Sequence, residues 1–581
     1  MNLVLKPYWD LLSRHIRPQK GRFLLLAILI LCNIGLQIIN PQIMRGFIDA
    51  ALGGEAFNRL MFAALGFIGI ALMQQVVSVG VTYLGENVAW TATNALRAEL
   101  AQHCLGLDMS FHNEHTPGEL IERIDGDVAE LSNFFSQFFI LITSNLLLLA
   151  GILAALFRED WRAGLVFALF AALALFALAR VRGIAMPHQK ARRQAEANLF
   201  GFIEEQLAGA EDIRSSGSVS FSIRELFRYQ AEILRHNRKA ELKNWFINSA
   251  TGLLLAIGNL LAIVSGYLLF TAGAITIGTV YLFVHYINQL DGPLWMLTHQ
   301  VQSFQVIGAC VERLNELRRL QPKVQDGHQP DIAVGALPLA FENVGFSYDG
   351  GDAVLQGISF RLKAGNILGL LGRTGSGKTT LARLIFRLYD PSAGRILLNG
   401  NNIRQARLDS LRQRVALVTQ DVQLFRASVR DNLTFFDRSI PDKRIEAVLE
   451  ELELGDWFRA LSKGLDTVLQ AGGRGLSAGE AQLLVLTRVF LRDPGLVILD
   501  EASSRLDPAT EQRIERAIDQ LLRDRTAIII AHRLGTVQRA DEVMILEDGQ
   551  VGEYGDRQQL ANDPGSRFFS LLQTGLEQVL A

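Results

Sequence analysis

The sequence contains little cysteine and little charge. Only Cys32, Cys104 and Cys310 occur among 581 residues, and their wide spacing fits neither a disulfide framework nor a zinc cluster. Charged residues make up 20% of the chain, and 57 basic side chains nearly balance 59 acidic ones, which gives a formal net charge of −2. A chain with so little net charge has no overall field to attract nucleic acid, so no nucleic-acid partner is expected.

Hydrophobic residues are abundant instead, at 49% of the chain. That share is too high for a disordered chain or for an ordinary soluble enzyme of this size. The length also exceeds that of one typical domain, so at least two compact units are expected. Part of the chain should therefore lie in a lipid bilayer.

The apolar residues cluster in windows long enough to cross a membrane. A bilayer core of roughly 30 Å needs about 20 mostly apolar residues in a helix. The windows are residues 23–45, 60–84, 134–157, 161–181, 250–272 and 275–297. They come in close pairs, and the long polar links between pairs continue the helical spacing of apolar residues. The sequence predicts an α-helical membrane bundle of six transmembrane helices with long cytoplasmic extensions, over residues 23–320.

Basic residues set the expected orientation. Lysine and arginine are frequent in residues 1–22 and 182–249, which the positive-inside rule places in the cytoplasm of a multi-pass protein of the cell (inner) membrane. Residues 1–22 are expected to form an interfacial elbow helix and not a cleaved signal peptide. Turn signals at residues 112–118 and 208–212 mark where the long links should reverse and contact a cytoplasmic domain.

Few ionisable residues interrupt the apolar windows. Arg45 and Asp49 lie at the outer end of the first span, and His285 and Asp291 lie in the sixth. Each is either a functional group, part of a structural pair or a water-facing residue. Residues able to line a pathway are Gln37, Asn40, Phe283, Tyr286, Asn288, Gln289 and Trp295. With so little fixed charge, a hydrophobic or amphipathic small substrate, such as a lipid or a drug-like molecule, is favoured over a highly charged one.

The second half of the chain has a different organisation. Residues 321–338 are rich in Pro, Gly, Asp and Gln and predict a linker. Beyond them, β-rich runs alternate with helical stretches over residues 339–581, which predicts an α/β domain.

A phosphate-binding motif follows the apolar run at residues 367–371. Its residues are Gly372, Arg373, Thr374, Gly375, Ser376, Gly377, Lys378 and Thr379, the P-loop pattern G-x-x-x-x-G-K-T, and Thr380 extends the set. Glycines let the backbone wrap around phosphate oxygens and point N–H groups at them. Lys378 is expected to reach the β- and γ-phosphates of ATP, and the Thr379 hydroxyl to bind Mg²⁺.

Two carboxylates follow a second apolar run, residues 496–499. Asp500 suits the Mg²⁺ shell, and Glu501 suits a general base for the attacking water. In a purely structural interpretation, both carboxylates stabilise the N-terminus of a following helix through its dipole. The presence of a P-loop in the same chain makes that interpretation the weaker one.

A further pattern separates one P-loop NTPase family from the others. It consists of Ser477, Ala478, Gly479 and Glu480, preceded by Gly475 and Leu476. With its surroundings, this stretch resembles the signature motif of the ATP-binding cassette (ABC) family. Over essentially the whole chain, the order of six spans, linker and α/β P-loop NTPase cassette is similar to one half of an ABC exporter.

The resemblance implies roles for further residues. Tyr348 resembles the aromatic residue that stacks on adenine, and Gln420 the Q-loop glutamine that senses Mg²⁺. Asp507 matches the D-loop aspartate, and His532 the switch histidine on the γ-phosphate. By the same resemblance, the signature residues contact the ATP held by the opposite cassette.

The signature departs from the usual L-S-G-G-Q because Ala478 and Glu480 replace Gly and Gln. Glu480 adds negative charge near the expected γ-phosphate, and Ser477 with Glu480 also forms the capping-box pattern S-x-x-E. The signature is deviant, whereas Lys378, Glu501 and His532 are intact. Two assemblies therefore remain open: a homodimer, and a heterodimer in which this chain is the catalytic half.

The motifs predict an ATP hydrolase coupled to transport, working as one half of a dimer by alternating access. Export is the favoured direction, but an importer on the same scaffold, for example of a siderophore, has the same motifs. An ATP-gated channel or regulatory subunit is the third possibility, and the intact Glu501 and His532 weigh against it.

Overall fold

The computed structural model of the chain divides into two compact units. One consists of Met1–Leu105 and Pro117–Leu320, and the other of Gly106–Thr116 and Gln321–Ala581. The structure describes residues 13–299, 301–328, 331–348, 350–419, 422–500, 508–531 and 537–574. Residues 1–12 of the expected elbow helix lie outside this set, and the chain is helical from Ser13.

The first half of the chain is helical. Its helices are α1 (Lys20–Leu52), α2 (Phe57–Leu105), α3 (Met109–Glu114), α4 (Pro117–Ile121), α5 (Asp127–Asn133), α6 (Ile140–Glu159), α7 (Trp161–Ala208), α8 (Ala210–Ser215), α9 (Val219–Thr271), α10 (Ile277–Gln289), α11 (Asp291–His299) and α12 (Val301–Arg319). Single π-helical stretches join α4 to α5 and α5 to α6. All of these helices except α3 belong to the first unit.

Five helical runs among the described residues are long and apolar enough to cross a membrane. They are Ser13–Leu52, Phe57–Leu105, Pro117–Glu159, Trp161–Leu178 and Val219–Thr271. The sixth expected window falls on α10 and α11, which meet at Leu290. Helices α2, α7 and α9 have 49, 48 and 53 residues, so at about 1.5 Å per residue each is roughly twice as long as the bilayer core is thick.

The second unit is an α/β domain. Its strands are β1 (Leu339–Ser347), β2 (Ala353–Leu362), β3 (Ile367–Gly372), β4 (Ala393–Leu398), β5 (Asn401–Asn402), β6 (Val415–Val418), β7 (Leu496–Asp500), β8 (Thr526–Ile530), β9 (Glu542–Glu547) and β10 (Gln550–Asp556). Its helices after α3 are α13 (Lys378–Ile385), α14 (Leu408–Arg414), α15 (Val429–Thr434), α16 (Asp442–Glu451), α17 (Gly455–Arg459), α18 (Ala478–Arg492), α19 (Pro508–Leu522), α20 (Arg557–Asn562) and α21 (Arg567–Thr574).

Two sheets build this unit. A small antiparallel sheet has the order β2-β1-β4-β5, and a larger one the order β10-β9-β3-β8-β7-β6. Strands β9, β3, β8, β7 and β6 run parallel, and β10 is antiparallel to β9. The central strands β3, β7 and β8 are almost entirely buried, as expected for parallel strands covered on both faces. Their carboxyl ends share one edge of the sheet, where open α/β sheets bind ligands.

Candidate functional site

The loop between β3 and α13 has the backbone that a phosphate cradle needs. Gly372, Gly375 and Gly377 have φ values of +149°, +86° and +102°, a region that side chains rarely adopt. A Cβ atom on Gly372 would lie 2.3 Å from the Leu546 carbonyl oxygen, and one on Gly377 2.6 Å from Leu355 Cδ2. Glycine is therefore required here both by conformation and by space.

Lys378 begins α13 and lies beneath this loop. The residue is buried, with 6% exposure, and its Nζ atom donates to the carbonyl oxygens of Gly372 at 2.6 Å and of Arg373 at 2.9 Å. The ammonium group is thus already held at the centre of the loop. A charged phosphate oxygen is a stronger acceptor than a peptide carbonyl, so these donors suit a phosphate.

Ser376 supplies the clearest indication of a ligand. Its side chain is buried, and the Oγ atom has no hydrogen-bond partner among the described residues. A buried hydroxyl without a partner costs about 1–3 kcal/mol. Arg373, Thr374, Gly375 and Thr379 are exposed, so a phosphate can approach the loop. The cradle therefore fits a nucleoside triphosphate.

Tyr348 lies next to the first turn of α13. Its hydroxyl is 3.0 Å from the Thr380 Oγ1 atom, which places an aromatic ring beside the phosphate loop. The ring also meets Phe346 and Tyr389 edge-on, with ring centroids 4.8 and 5.2 Å apart. The structure brings Tyr348, Thr380 and the P-loop together as one group.

Asp500 ends β7 at the same sheet edge. Strand β8 lies between β7 and β3, so at about 4.8 Å per strand Asp500 is on the order of 10 Å from the end of β3. Carboxylate and hydroxyl oxygens, which Asp500 and Thr379 carry, are the kind of ligand that Mg²⁺ prefers. Gln420, Glu501, Asp507 and His532 lie outside the described residues.

The signature stretch forms the start of α18. Ser477 caps the helix by accepting the Glu480 N–H at 3.2 Å, and the Ser477 N–H donates to Glu480 Oε2 at 2.8 Å. The expected capping box is therefore present, and it holds the Glu480 carboxylate at the helix N-terminus. A Cβ atom on Gly479 would lie 2.0 Å from Thr510 Cγ2, so glycine is needed where α18 and α19 meet.

Sequence reasoning missed a buried arginine in the same helix. Arg488 donates to the carbonyl oxygens of Asn432 at 2.7 Å and Gln423 at 2.9 Å, and its guanidinium lies 4.6 Å from the Phe435 ring centroid. Burial, and secondarily the charge of Arg492, lowers the pKa of Arg488 to about 10. The sequence feature that could have identified Arg488 is its position within the apolar face of α18.

The ionisable residues at one end of the bundle pair with protein groups. Arg45 Nη1 lies 2.5 Å from Glu159 Oε1. Asp49 accepts the Gly278 N–H at 2.8 Å and the Thr276 hydroxyl at 2.7 Å. These contacts join α1 to the end of α6 and to the start of α10, so Arg45 and Asp49 have the structural role that the sequence left open.

Four of the residues considered for a pathway differ in whether their polar atoms have partners. Phe283 and Tyr286 are fully buried within the single chain, where the Tyr286 hydroxyl donates to the Ile38 carbonyl at 2.9 Å. The side-chain amides of Asn40 and Gln289 each have a buried oxygen without a partner among the described residues. The Trp295 side chain is outside the description.

Comparisons with known proteins match both halves of the chain. The family model for the ABC transporter transmembrane region matches residues 23–294, and the ABC transporter model matches residues 355–504. A protein of Bacillus subtilis named as an uncharacterised ABC transporter ATP-binding protein is 29% identical over 573 residues, 97% of this chain and 92% of its own length.

Further relatives have a named activity or a solved structure. An ATP-dependent lipid A-core flippase of Ralstonia nicotianae is 29% identical over 560 residues, 95% of this chain and 94% of its own length. The solved structure of a bacterial Atm1-family ABC exporter with ATP bound has a TM-score of 0.78 and 23% identity, covering 96% of this chain and 98% of that one. That likeness concerns the fold.

Proposed function

We propose that this chain, which belongs to the ABC transporters, exports a hydrophobic or amphipathic substrate as one half of a dimer. As in that family, a membrane region and an ATP-hydrolysing cassette lie in one polypeptide. The boundaries we assign are residues 1–22 for an elbow helix, 23–320 for the membrane domain, 321–338 for a linker and 339–581 for the cassette. The cassette and the N-terminus lie in the cytoplasm, and the spans lie in the inner membrane.

The phosphate cradle is the observation that carries this proposal. A buried ammonium under the loop and a serine hydroxyl with no partner among the described residues both suit an anionic, oxygen-rich ligand at the same place. The triphosphate of ATP is such a ligand. Tyr348 then lies within reach of the base, because its hydroxyl contacts Thr380 on the helix that begins at Lys378.

Thr379, Asp500 and Gln420 are the residues that would hold Mg²⁺ in this site. A bound Mg²⁺ would offset the negative charge on the phosphate oxygens. We assign Glu501 the role of the general base that orients or deprotonates the attacking water. We assign His532 the role of a hydrogen-bond partner of the γ-phosphate. Ser477, Ala478, Gly479, Glu480 and Asp507 would face the nucleotide of the partner cassette.

Transport follows from the division of each site between two cassettes. ATP binds the closed pair better than the open pair, because only closure completes its contacts. A shift from 1:99 to 99:1 needs about 5.5 kcal/mol of differential binding, which two enclosed nucleotides with several charge-assisted bonds each can supply. Closure switches the spans from inward-facing to outward-facing, and hydrolysis resets them.

A lipid-like cargo is the substrate class that we propose. Arg45 and Asp49 in the membrane domain already pair with protein groups. Little fixed charge is therefore left to bind a charged cargo. Relatives of similar length are named as lipid A-core flippases. Whether the second half is an identical chain or a different one is a separate question, which the composition of the purified complex answers.

Transport into inside-out vesicles tests the proposal. We expect ATP-dependent accumulation of an acyl-labelled fluorescent phospholipid or of a hydrophobic dye, and none with Glu501→Gln, which binds ATP without turnover. Accumulation only in right-side-out vesicles would indicate an importer. Ion current that persists without hydrolysis would indicate a channel.

A further inference from the structure

Basic side chains lie at the start of the first membrane-crossing run, Ser13–Leu52. They are Arg14, Arg17, Lys20 and Arg22, and all four are exposed. Within the described ranges, none of the four forms an ion pair, and neither does Glu86 on the adjacent helix α2. Positive charge is therefore left uncompensated just before the apolar window at residues 23–45.

Arg22 is held against α2 by a neutral side chain. Its Nη1 atom donates to the Asn87 Oδ1 atom at 3.1 Å. A guanidinium has five N–H donors, and no second hydrogen bond of Arg22 occurs among the described side chains. Since Asn87 accepts through Oδ1, its Nδ2 group is the half of the amide left to donate. Arg22 and Asn87, the donor pair, together suit a phosphate, which offers several acceptor oxygens.

The donor pair lies at the mouth of an apolar groove between α1 and α2. Leu25 and Leu29 follow one and two turns further along α1, on the face of the arginine. Tyr83 and Gly80 are one and two turns away along α2, on the face of the asparagine. A Cβ atom on Gly80 would lie 3.5 Å from Leu29 Cδ1, so the two helices are close at the floor of the groove. Leu25 and Tyr83 are 47% and 66% exposed, so an acyl chain can lie along them.

Aromatic residues place the donor pair at the surface of the bilayer. Trp90 lies about one turn beyond the asparagine, on the side opposite Tyr83, and it is 54% exposed. Tyrosine and tryptophan concentrate at the level of the lipid headgroups, because their rings have an apolar body and a polar tip. The apolar window also begins directly after Arg22. The donor pair is therefore at the depth of lipid phosphates and not among the acyl chains.

We propose that the donor pair binds the phosphate of an anionic phospholipid, one of whose acyl chains lies in the groove along Leu25 and Tyr83. A guanidinium can give a phosphate two parallel hydrogen bonds, and the Asn87 amide can give a third. Arg17 and Lys20, which precede the pair, favour a headgroup of net negative charge over a zwitterionic one. This inference goes beyond the proposed export, because the lipid is bound without being transported.

Lipid binding to the purified full-length protein, measured by native mass spectrometry, tests the inference. The wild type should bind dioleoylphosphatidylglycerol about fivefold more tightly than dioleoylphosphatidylcholine, the factor of one hydrogen bond of about 1 kcal/mol. Arg22→Gln should remove this preference, and Asn87→Ala should reduce it, because the amide no longer positions the guanidinium. Arg22→Lys, which keeps the charge without the planar fork of donors, should retain part of the preference.

Two controls separate a lipid site from a general effect of charge. Arg59→Gln also removes an exposed arginine of the membrane domain, but one whose Nη1 atom already lies 2.5 Å from Glu55 Oε1, so it should preserve the preference. Glycerol 3-phosphate, which has a phosphate and no acyl chain, should not displace the bound lipid. Titration with a fluorescent ATP analogue shows that each variant is folded, since none of the changes touches the cassette.

The possible outcomes are distinct. The inference is wrong if Arg22→Gln keeps the full preference, if Arg59→Gln loses it equally, or if glycerol 3-phosphate displaces the lipid. It is also wrong if Arg22→Gln leaves lipid binding unchanged and instead lowers the fraction of paired assemblies, because the second half would then cover this surface. Failure of transport in vesicles would overturn the proposed export and leave these lipid measurements unaffected.

Discussion

At the scale of single residues, Lys378 makes the largest expected contribution to nucleotide binding. Its ammonium group is buried and positioned by two carbonyl oxygens before any phosphate binds, so little is lost in ordering it. Hydrogen bonds to charged groups contribute about 1.5–3 kcal/mol, so Lys378→Ala should weaken ATP binding by about ten- to a hundredfold. Titration with a fluorescent ATP analogue measures this change.

The control for that variant is Lys443→Ala, which removes an exposed lysine on α16. It should leave the affinity for ATP unchanged. An unaltered affinity in Lys378→Ala would contradict the phosphate-cradle assignment.

Removal of the Ser376 hydroxyl should affect ATP binding without lowering stability. Because its buried hydroxyl lacks a partner among the described residues, Ser376→Ala should leave the melting temperature of the nucleotide-free protein unchanged or raise it. The same change should weaken ATP binding by about fivefold, the effect of one lost hydrogen bond of ordinary strength.

Ser410→Ala is the matched control, because that buried hydroxyl accepts the Ile332 N–H at 2.9 Å. This variant should lower the melting temperature and preserve the affinity for ATP. If Ser376→Ala behaves in the same way, the Ser376 hydroxyl has a structural role and not a ligand-binding one.

Glu480 combines a stabilising contact with an unfavourable charge. Its carboxylate completes the capping box with Ser477, and a glutamine side chain can accept the same N–H. We therefore expect Glu480→Gln to change stability by less than about 0.5 kcal/mol and to raise ATPase turnover, because it removes negative charge from the surface that we propose faces the partner's γ-phosphate. Ser477→Ala, in contrast, should lower stability by about 1 kcal/mol. Lower turnover in Glu480→Gln would show that the charge is needed.

The residues that sequence could identify are those whose chemistry depends on their neighbours in the chain. The P-loop, Asp500 and the capping box are local patterns, and the structure places each at the expected strand or helix end. Tyr389 and Arg488 were not identified, because their partners, Asn113 and Asn432, are distant in sequence. The lack of a partner for the Ser376 hydroxyl among the described residues also depends on tertiary packing.

At the scale of elements, Gly278 fixes how closely α10 approaches α1. A Cβ atom there would lie 2.5 Å from the Arg45 carbonyl oxygen and 2.7 Å from Asp49 Oδ1. Overpacking of this kind costs about 1–3 kcal/mol, so Gly278→Ala should lower the melting temperature in nanodiscs.

Gly69→Ala, on α2, provides the comparison, since within the chain a Cβ atom there meets nothing within 4 Å. It should be neutral or slightly stabilising, as alanine favours helix more than glycine does. Equal destabilisation by both changes would contradict a specific contact between α1 and α10.

Helices were easier to predict than their interruptions. Apolar runs and helical spacing give the long elements, because burial in lipid and backbone hydrogen bonding are both local requirements. The π-helical stretches Glu122–Gly126 and Phe134–Phe139 and the break at Leu290 have no such local signal. Turn signals at residues 112–118 did predict where the link reverses, but the assignment of Gly106–Thr116 to the cassette unit depends on contacts with residues more than 200 positions away.

At the scale of the whole molecule, the account depends on two cassettes sharing each nucleotide. The described residues of one chain supply the cradle, but the signature stretch at α18 is placed by resemblance against the ATP of another chain. Under the proposed function, turnover requires a second half, whether it is identical or different.

Turnover in nanodiscs sorted by the number of half-transporters they contain tests this claim most directly. Discs with one chain should bind ATP and hydrolyse almost none, whereas discs with the paired assembly, isolated with the second half that purifies with it, should hydrolyse ATP steadily. Equal turnover per chain in the two kinds of disc would contradict the account.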